Sequence, residues 1–467
     1  MADDTPHDAC GVIGVYALGQ DVARIAFYGL YALQHRGQEC AGIASATGRR
    51  IHLHTSMGLV SQAFRESDLE RLEGHIAIGH TRYSTTGSAH PQNAQPILSR
   101  NGPVELALGH NGNIINALDL KQELLEWGCT FTSTSDSEVI AHLLAWAPGK
   151  KWSERISYMM RRLQGAYSLV VTTKDTLMGI RDPLGVRPLC IGKLDGGWVI
   201  ASESCALDHL GAQYLREVEP GETVMVTKDG LTSIPYAGEP QPPAPCVFEY
   251  IYFSRPDSIL GGKLVYASRL AMGAQLAKEH PVDADVVIGV PDSATGAAVG
   301  FAQESGIPYS DGLVRNRYVG RTFIEPDQRF RDLGVRMKFN PLTEVIADKR
   351  VVVVDDSIVR GTTTPHVISL IRKANAKEVH MRVCAPPIRF PCHFGVDLAS
   401  RAELIAANMS IEEIRQFIDA DSLGYLSVEG LLASVNGRST TFCSACFTGQ
   451  YPIPVQLEMD KLALEHS

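Results

Sequence analysis

The chain has 467 residues, of which 45% are hydrophobic and 20% charged, a composition that excludes global disorder and predicts two or three domains. Its net charge of −9 argues against nucleic-acid binding as the main role, because phosphate binding requires an excess of Lys and Arg. No apolar stretch approaches about 18 residues and residues 1–9 are polar and acidic, so neither a membrane span nor a signal sequence is expected. Without a secretory leader, the ten cysteines favour metal ligands, a nucleophile or packing residues over disulfides.

The chain before residue 238 has the pattern of a mainly antiparallel α+β domain. Helices are predicted over Val22–Gln34 and Ser137–Trp146. Strands are predicted over the short apolar runs Gly11–Tyr16, Ile76–Gly79, Ala166–Thr173, Leu189–Gly192 and Trp198–Ala201. Because these strands cluster in pairs with few helices between them, antiparallel pairing is expected.

A proline-rich segment, residues 238–245, marks a domain boundary. Four of the six residues 240–245 are proline, which fixes φ and lacks the amide donor that helices and sheets need. We therefore expect one domain over residues 10–240 and a second over residues 246–467. In the second, strands are predicted over Asp285–Val290 and Arg350–Val354, and helices over Ala294–Glu304 and Thr363–Asn375. Continuous β-branched runs that lead into helices predict an α/β domain with a parallel sheet.

Cys10 directly precedes the first predicted strand. A lone cysteine in this position is most often a small buried residue. At a chain terminus, however, its own α-amino group, with a pKa of about 7.7–8.0, is able to accept the thiol proton, as in N-terminal threonine nucleophiles. Removal of residues 1–9 would create that arrangement, and Cys10 is then the expected nucleophile.

Polar groups suited to acyl transfer follow along the first domain. Arg82 is able to bind a substrate carboxylate through two hydrogen bonds, and Asp136 a substrate ammonium. Asn111 and Gly112 combine a side-chain amide with a glycine N–H, a common pairing in oxyanion holes. Each signal has an ordinary alternative, since Asn-Gly is typical of a turn and the Ser-Asp-Ser-Glu sequence at 135–138 is typical of a helix cap.

Together with the Gln-His-Arg-Gly-Gln sequence at 34–38, residues 10–235 closely resemble the glutaminase domain of the N-terminal-nucleophile amidotransferases. The resemblance implies that residues 1–9 are a propeptide and that Cys10 attacks the side-chain amide of glutamine and releases ammonia. It further implies that Arg82 and Asp136 hold the glutamine, while Asn111 and Gly112 stabilise the oxyanion.

In the second domain, the strand Val351–Val354 runs into Asp355 and Asp356. The carboxyl end of a parallel strand is where α/β sheets bind ligands. The loop that follows offers hydroxyls, a glycine and the start of a helix, which suit a phosphate. A capped helix after a strand and a metal–aspartate phosphoacceptor site are the alternatives; the latter does not explain the Arg-Gly-Thr-Thr sequence at 360–363.

The segment 351–363 resembles the signature of the type I phosphoribosyltransferases. The resemblance implies that the acidic pair holds the ribose hydroxyls of phosphoribosyl pyrophosphate (PRPP), that the next loop binds its 5-phosphate, and that residues 289–296 bind pyrophosphate. It implies Mg²⁺ near Ser293, Asp355 and Asp356. The PRPP-binding residues expected from it are Arg317, Lys338, Asp355, Asp356, Ser357, Arg360, Gly361, Thr362 and Thr363.

Residues 315–338 form a basic stretch in an otherwise acidic chain, with seven basic residues against three acidic ones, a local charge of +4. An isolated run of this kind is usually a solvated surface. Within a phosphoribosyltransferase, residues 315–323 correspond to the mobile loop that closes over the reaction centre, where the basic side chains would neutralise pyrophosphate.

Cys443 and Cys446 form a C-x-x-C pair, and Cys246 and Cys392 are further candidate ligands. Four thiolates are able to bind zinc or an iron–sulfur cluster, and a C-x-x-C pair is also typical of a redox dithiol; the spacing does not choose among these. The other cysteines besides Cys10 are expected to be packing residues: Cys40, Cys129, Cys190, Cys205 and Cys384.

A glutaminase half followed by a PRPP half resembles the glutamine phosphoribosylpyrophosphate amidotransferase family over essentially the full chain. The resemblance implies that ammonia from Cys10 passes internally to PRPP and displaces pyrophosphate, giving 5-phosphoribosylamine, the first committed intermediate of purine synthesis. The propeptide-containing branch carries a 4Fe-4S cluster on cysteines that align with Cys246, Cys392, Cys443 and Cys446. A cytoplasmic homotetramer inhibited by purine nucleotides is also implied.

Three other functions fit parts of this sequence pattern. A glucosamine-6-phosphate synthase has sugar-isomerase domains in its second half, which the acidic pair contradicts. A PRPP-sensing regulator without catalysis does not require Cys10 or a closing loop. An iron–sulfur redox protein leaves both substrate sites unexplained.

Overall fold

The structure is a computed structural model that describes residues 10–83, 90–100, 102–316, 339–398, 400–435, 441–455 and 464–465. The strands of the first half are β1 (Gly11–Ala17), β2 (Cys40–Ala46), β3 (Ile51–Met57), β4 (Ile76–Arg82), β5 (Ile97–Ser99), β6 (Leu106–Ile114), β7 (Gly165–Thr172), β8 (Leu177–Arg181), β9 (Cys190–Leu194), β10 (Gly197–Ala201), β11 (Gln213–Glu217), β12 (Thr223–Thr227) and β13 (Gly230–Ile234). Its helices are α1 (Val22–Ala32), α2 (Val60–Ala63), α3 (Glu66–Glu70), α4 (Ala117–Glu126), α5 (Asp136–Trp146), α6 (Trp152–Arg162) and α7 (Ser204–His209), with 3-10 turns at Gln34–Arg36 and Pro91–Asn93.

The first half consists of two antiparallel sheets stacked between layers of helices. One sheet has the strand order β11-β9-β10-β1-β4-β2-β3, and the other has the order β13-β12-β8-β7-β6-β5. Along β1, Val12 and Tyr16 point into the core between the sheets, whereas Ile13 and Val15 pack under α1 and α7. Because successive side chains of a strand face opposite sides, β1 must be apolar throughout to lie between two cores. The predicted α+β class is confirmed.

The strands of the second half are β14 (Ile259–Leu260), β15 (Lys263–Leu264), β16 (Val286–Gly289), β17 (Leu313–Arg315), β18 (Phe339–Pro341), β19 (Arg350–Asp355), β20 (Glu378–Val383) and β21 (Ser422–Tyr425). Its helices are α8 (Val265–Glu279), α9 (Thr295–Ser305), α10 (Thr343–Ile346), α11 (Thr364–Lys373), α12 (Ile405–Asn408), α13 (Ile411–Phe417), α14 (Val428–Val435) and α15 (Ala445–Thr448), and Glu249–Phe253 forms a π-helical turn.

A four-stranded parallel sheet, in the order β16-β19-β20-β21, forms the centre of the second half. On β19, Val352 and Val354 face the core formed with α8, α9 and α14, whereas Val351 and Val353 face the core formed with α11 and α13. Covering of both faces explains the uninterrupted valine run, and the predicted parallel sheet is confirmed.

The proline-rich segment 238–245 contains no strand or helix and runs along the first half, where Ala244 N donates to Leu184 O at 2.7 Å. The π-helical turn that follows packs into the main core of the second half through Tyr250, Ile251 and Phe253. Within the ranges given above, no helix is long and apolar enough to cross a membrane.

Candidate active sites

Cys10 lies one residue before the first paired residue of β1, where Gly11 pairs with Thr81 of β4. Its thiol is buried and donates to Tyr83 O at 3.3 Å. Burial raises the pKa of the Cys10 thiol above its ordinary value, although the bond to Tyr83 and the charge of Arg82 act in the opposite direction. The thiol is therefore protonated at neutral pH and requires a base before it is able to attack.

Three of the residues predicted from the sequence line one small pocket with Cys10: Arg82 at the end of β4, Gly112 on β6 and Asp136 at the start of α5. Sheet pairing explains the convergence, because β1 is next to β4, while β6 belongs to the sheet stacked on it. The remaining lining residues are Tyr83, Gln95, His110, Ser135 and Ser137.

Asn111 precedes Gly112 on β6 and is fully buried. Neither its Oδ1 nor its Nδ2 has a hydrogen-bond partner among the described residues. Gly112 has a φ of 147°, and a Cβ at this position would lie 2.0 Å from Ala166 O. Glycine is required here, and a buried amide without a partner is a costly arrangement that is typical of a ligand site.

Asp136 is the first residue of α5 and is buried. The helix is capped by the preceding Ser135, whose hydroxyl accepts from Ser137 N. Asp136 Oδ2 accepts from Ile114 N at 3.1 Å and lies 3.7 Å from His110 Nδ1. The serine thus fulfils the capping role, and the carboxylate faces the pocket.

Gln95 and Ser137 were missed by the sequence analysis. Gln95 Oε1 accepts from His110 N at 2.9 Å, and its Nε2 donates to Ser137 Oγ at 2.9 Å. They link β6 to α5 at the wall of the pocket, and no local motif signals such a contact.

In the second half, Asp355 ends β19 and Asp356 follows it, 5% exposed. Asp356 Oδ2 accepts from the hydroxyl of Ser293, and Oδ1 accepts from Ser357 Oγ at 2.6 Å. The predicted pyrophosphate-binding segment is thus brought to the acidic pair. No group of three or more His, Cys, Asp or Glu side chains in the described part of the chain is close enough to hold one metal ion.

The predicted phosphate loop connects Asp356 to α11, which begins at Thr364. Gly361 has a φ of 72°, in the left-handed region that favours glycine. Thr362 and Thr363 lie between this glycine and the helix start. Arg360 Nε lies 3.6 Å from Glu403 Oε1. The loop therefore ends at the helix N-terminus, as phosphate binding requires.

Only the first two residues of the basic stretch, 315 and 316, are described. Arg315 closes β17, which pairs with β18, and its Nη1 lies 3.5 Å from Asp292 Oδ2 in the predicted pyrophosphate segment. Arg317 and Lys338 lie outside the described residues.

All ten cysteines are described and none forms a disulfide. Cys246 pairs with Cys443 in a parallel bridge, in which Cys443 N donates to Pro245 O at 2.9 Å and Val247 N donates to Cys443 O at 3.2 Å. Cys446 O accepts from the N–H groups of Arg389 and Phe390 at 3.0 and 3.1 Å. The five predicted packing cysteines are each at most 4% exposed: Cys40, Cys129, Cys190, Cys205 and Cys384.

Burial is the largest effect that raises the pKa of Cys446. The neighbouring thiols of Cys246, Cys443 and Cys392 also raise the pKa of Cys446. The Cys246–Cys443 bridge and the bonds to Cys446 O bring the segments that carry the four cysteines together, although the described side chains form no compact set of metal ligands.

Comparisons with known proteins match both halves of the chain. The glutamine amidotransferase domain family matches residues 80–209, and the phosphoribosyl transferase domain family matches residues 269–387. The chain is 51% identical to the amidophosphoribosyltransferase of Synechococcus elongatus, over 99% of this chain and 95% of that protein. It is 47% identical to that of Mycobacterium tuberculosis, over 99% and 90%.

The solved structure of the glutamine PRPP amidotransferase from B. subtilis, complexed with ADP and GMP, matches with a TM-score of 0.89 at 44% identity. The match covers 98% of this chain and 100% of that one.

Proposed function

The chain belongs to the amidophosphoribosyltransferase family, and we propose that Cys10 is the nucleophile with which its reaction begins. The reaction converts PRPP, glutamine and water to 5-phosphoribosylamine, glutamate and pyrophosphate, the first step of purine nucleotide synthesis. The observation that carries the proposal is the convergence of Cys10, Arg82, Gly112 and Asp136 on one pocket. Asn111 does not line this pocket but precedes Gly112 on β6, with its buried amide unpartnered among the described residues.

Glutamine hydrolysis starts once residues 1–9 have been removed. The α-amino group of Cys10 then takes the thiol proton, and the sulfur attacks the side-chain carbonyl carbon of glutamine. The carbonyl oxygen becomes an oxyanion, which Asn111 Nδ2 and the Gly112 N–H stabilise. Return of the proton to the leaving nitrogen releases ammonia, and water hydrolyses the remaining thioester to glutamate.

Glutamine is held by charge at both ends of its amino-acid group. Arg82, which is 2% exposed, binds the carboxylate through its planar guanidinium, and Asp136 accepts from the ammonium. Burial in this pocket strengthens both interactions, because the local dielectric is lower than that of water.

PRPP binds at the carboxyl end of the parallel sheet. Asp355 and Asp356 accept hydrogen bonds from the ribose hydroxyls, and the loop 357–363 binds the 5-phosphate at the start of α11. The proposed phosphate-loop ligands are Ser357, Arg360, Gly361, Thr362 and Thr363. Arg317 and Lys338 are proposed to approach the pyrophosphate.

Magnesium is the metal ion that suits the oxygen donors of this site. Asp355, Asp356 and Ser293 supply only a few donors, which fits Mg²⁺ because this ion keeps several waters and substrate oxygens as ligands. When bound, it would neutralise charge on the pyrophosphate. Asp356 also keeps Ser293 in place by accepting from its hydroxyl.

A 4Fe-4S cluster on Cys246, Cys392, Cys443 and Cys446 is supported by two buried donors beside the thiols. Arg187 interacts electrostatically with Cys246 and Cys392, and its Nη2 has no partner in the described part of the chain. His393, next to Cys392, leaves its Nε2 equally unpaired among those residues. The guanidinium N–H of Arg187 suits the sulfur atoms of an anionic cluster, as does His393 in the tautomer that protonates Nε2.

A single zinc ion is the alternative occupant, since four thiolates also bind zinc. The cluster is proposed to be structural, because it joins the linker at Cys246 to α15.

Four further properties are proposed. Purine nucleotides are proposed as inhibitors, since the B. subtilis relative was solved with ADP and GMP. We propose a homotetramer, as the resemblance implies. We also propose an internal passage for ammonia, because ammonia released into bulk water would be protonated and lost. Cytoplasmic location is proposed from the ten unpaired cysteines, which suit a reducing compartment.

Replacement of Cys10 by alanine tests the assignment. C10A should lose glutamine-dependent pyrophosphate release and keep ammonia-dependent release, with intact mass measured first to establish whether residues 1–9 are present. Loss of neither activity would refute the role of Cys10. A PRPP-sensing regulator, the second function considered, would show neither activity in the unmodified chain.

A further inference from the structure

Four buried charged side chains lie between the glutaminase pocket and the second half. Arg36 and Arg187 belong to the first half, as does Glu203, while Glu249 begins the π-helical turn of the second half. Each of the four is at most 2% exposed. Two positive and two negative charges balance, which buried charges require.

Glu249 is the residue that both arginines share. Its Oε1 accepts from Arg36 Nη2 at 2.8 Å and from Arg187 Nη1 at 3.1 Å, and its Oε2 accepts from Arg36 Nη1 at 3.0 Å. Ser254 Oγ donates to Oε2 at 2.7 Å. Glu203, by contrast, binds only Arg36 of the two, at 2.6 Å.

Arg36 connects this network to the nucleophile. Its Nε donates to Cys10 O at 3.2 Å, just before the first paired residue of β1. The two outer nitrogens of the same guanidinium bind Glu249, so the planar group fixes where Cys10 sits relative to the second half.

Arg187 connects the network to the oxyanion-binding strand. Its Nε donates to Phe394 O at 3.0 Å. The adjoining His393 O accepts from Asn113 Nδ2 at 3.0 Å, and a Cβ on Gly395 would lie 2.6–2.9 Å from the backbone of Gly112. The segment 393–395 is thus pressed against residues 112–113, and Arg187 holds it there.

We propose that Glu249 is a positioning residue for glutamine hydrolysis: by binding Arg36 and Arg187 together, it aligns the nucleophile with the oxyanion-binding segment. The inference rests on the proposed role of Cys10. It makes the glutaminase centre dependent on a carboxylate that the second half supplies.

The variant Glu249→Gln keeps the shape of the side chain and removes its charge. We expect the kcat of glutamine-dependent glutamate release, measured with PRPP present, to fall at least tenfold. The KM for glutamine should stay within twofold of that of the unmodified chain. KM is spared because Arg82 and Asp136 do not contact Glu249. Ammonia-dependent pyrophosphate release should stay within twofold, which also reports that the variant is folded.

Glu222→Gln is the matched control. Glu222 is a carboxylate of the first half, 6% exposed and paired with Arg216 at 2.7 Å, away from the network. It should leave the ratio of glutamine-dependent to ammonia-dependent activity unchanged. If E249Q leaves that ratio unchanged, or lowers both activities equally, the inference is overturned.

Ser254→Ala tests the role of Glu249 if E249Q does not fold. It removes one hydrogen bond to Glu249 and should lower the same activity ratio at least twofold; an unchanged ratio overturns the inference. C10A is run beside these variants, since retention of glutamine-dependent activity in C10A would refute the proposed nucleophile instead.

Discussion

The unpartnered amide of Asn111 gives a prediction in which activity and stability change in different ways. In most proteins, removal of a buried polar side chain costs stability because its hydrogen bonds are lost. Asn111 makes none with the described residues, although it is fully buried. Asn111→Ala should therefore remove a group that contributes to the transition state and very little that holds the free enzyme together.

The magnitudes follow from that difference. Loss of one oxyanion donor costs about 10²–10³ in kcat, or roughly 2.7–4 kcal/mol. The free energy of unfolding should fall by less than about 1 kcal/mol, because the cost of the small cavity is offset by removal of an unsatisfied buried amide, which itself costs about 1–3 kcal/mol.

Asn93→Ala provides the control. Asn93 is equally buried in the same half, but its Nδ2 donates to Thr134 Oγ1 at 2.9 Å and its Oδ1 accepts from Thr134 N at 2.9 Å. Its replacement leaves the Thr134 N–H unpaired, and a loss of about 1–3 kcal/mol in stability is expected. Glutaminase kcat should change little.

The assay pairs steady-state glutamate release with urea unfolding of both variants. A kcat of N111A within twofold of the unmodified chain would refute its role as oxyanion donor. Destabilisation of N111A as large as that of N93A would refute the claim that the amide has no partner in the free enzyme.

Three other predictions concern the second half and the buried charges. Asp356→Asn should lower ammonia-dependent pyrophosphate release roughly 100-fold while glutamate release continues, because hydrogen bonds to a charged acceptor contribute about 1.5–3 kcal/mol each. Equal loss of both activities would contradict the assignment of two separate sites. Protein purified without oxygen should contain about four irons per chain with a visible absorbance band, and Cys446→Ser should lose both; iron-free parent protein would exclude the cluster. Although burial opposes it, the pKa of Glu203 is held below the usual range by His35 and Arg36, and that of Glu249 by Arg36 and Arg187. The stability that these two carboxylates contribute is present above about pH 4.3 and is lost as the pH falls through their folded pKa values. The free energy of unfolding, measured with urea, should therefore fall more steeply with decreasing pH in the unmodified chain than in E249Q.

The elements that the sequence predicted are those whose signal is local. The valine run before Asp355 predicted a buried parallel strand, and the structure has β19 over Arg350–Asp355. The helix predicted over Val22–Gln34 ends at Ala32, because a 3-10 turn at Gln34–Arg36 redirects the chain. That turn brings Arg36 to Cys10, so the boundary error lies directly before a residue with a proposed positioning role.

The contacts that the sequence did not predict are long-range and have no motif. Glu249 and Arg36 are separated by 213 positions, and Arg187 and Phe394 by 207. The sequence does not distinguish a buried glutamate from a solvent-exposed one, because the partners of the buried residue depend on how the two halves pack. Gln95 was missed for the same reason.

The buried state of Cys10 determines where its base must come from. His110 is the imidazole that lines the pocket, and burial lowers its pKa, so it holds a proton poorly. Its Nδ1 already meets Ser137 Oγ at 3.1 Å, and Nε2 lies 3.5 Å from Ala166 O. A thiol with a raised pKa beside a weakened imidazole stays protonated at neutral pH. The α-amino group that removal of residues 1–9 would expose is adjacent to the thiol by covalent structure and titrates near neutral pH. We therefore expect the α-amino group exposed by the proposed removal of residues 1–9 to act as the base, and an unprocessed chain should bind glutamine without hydrolysing it.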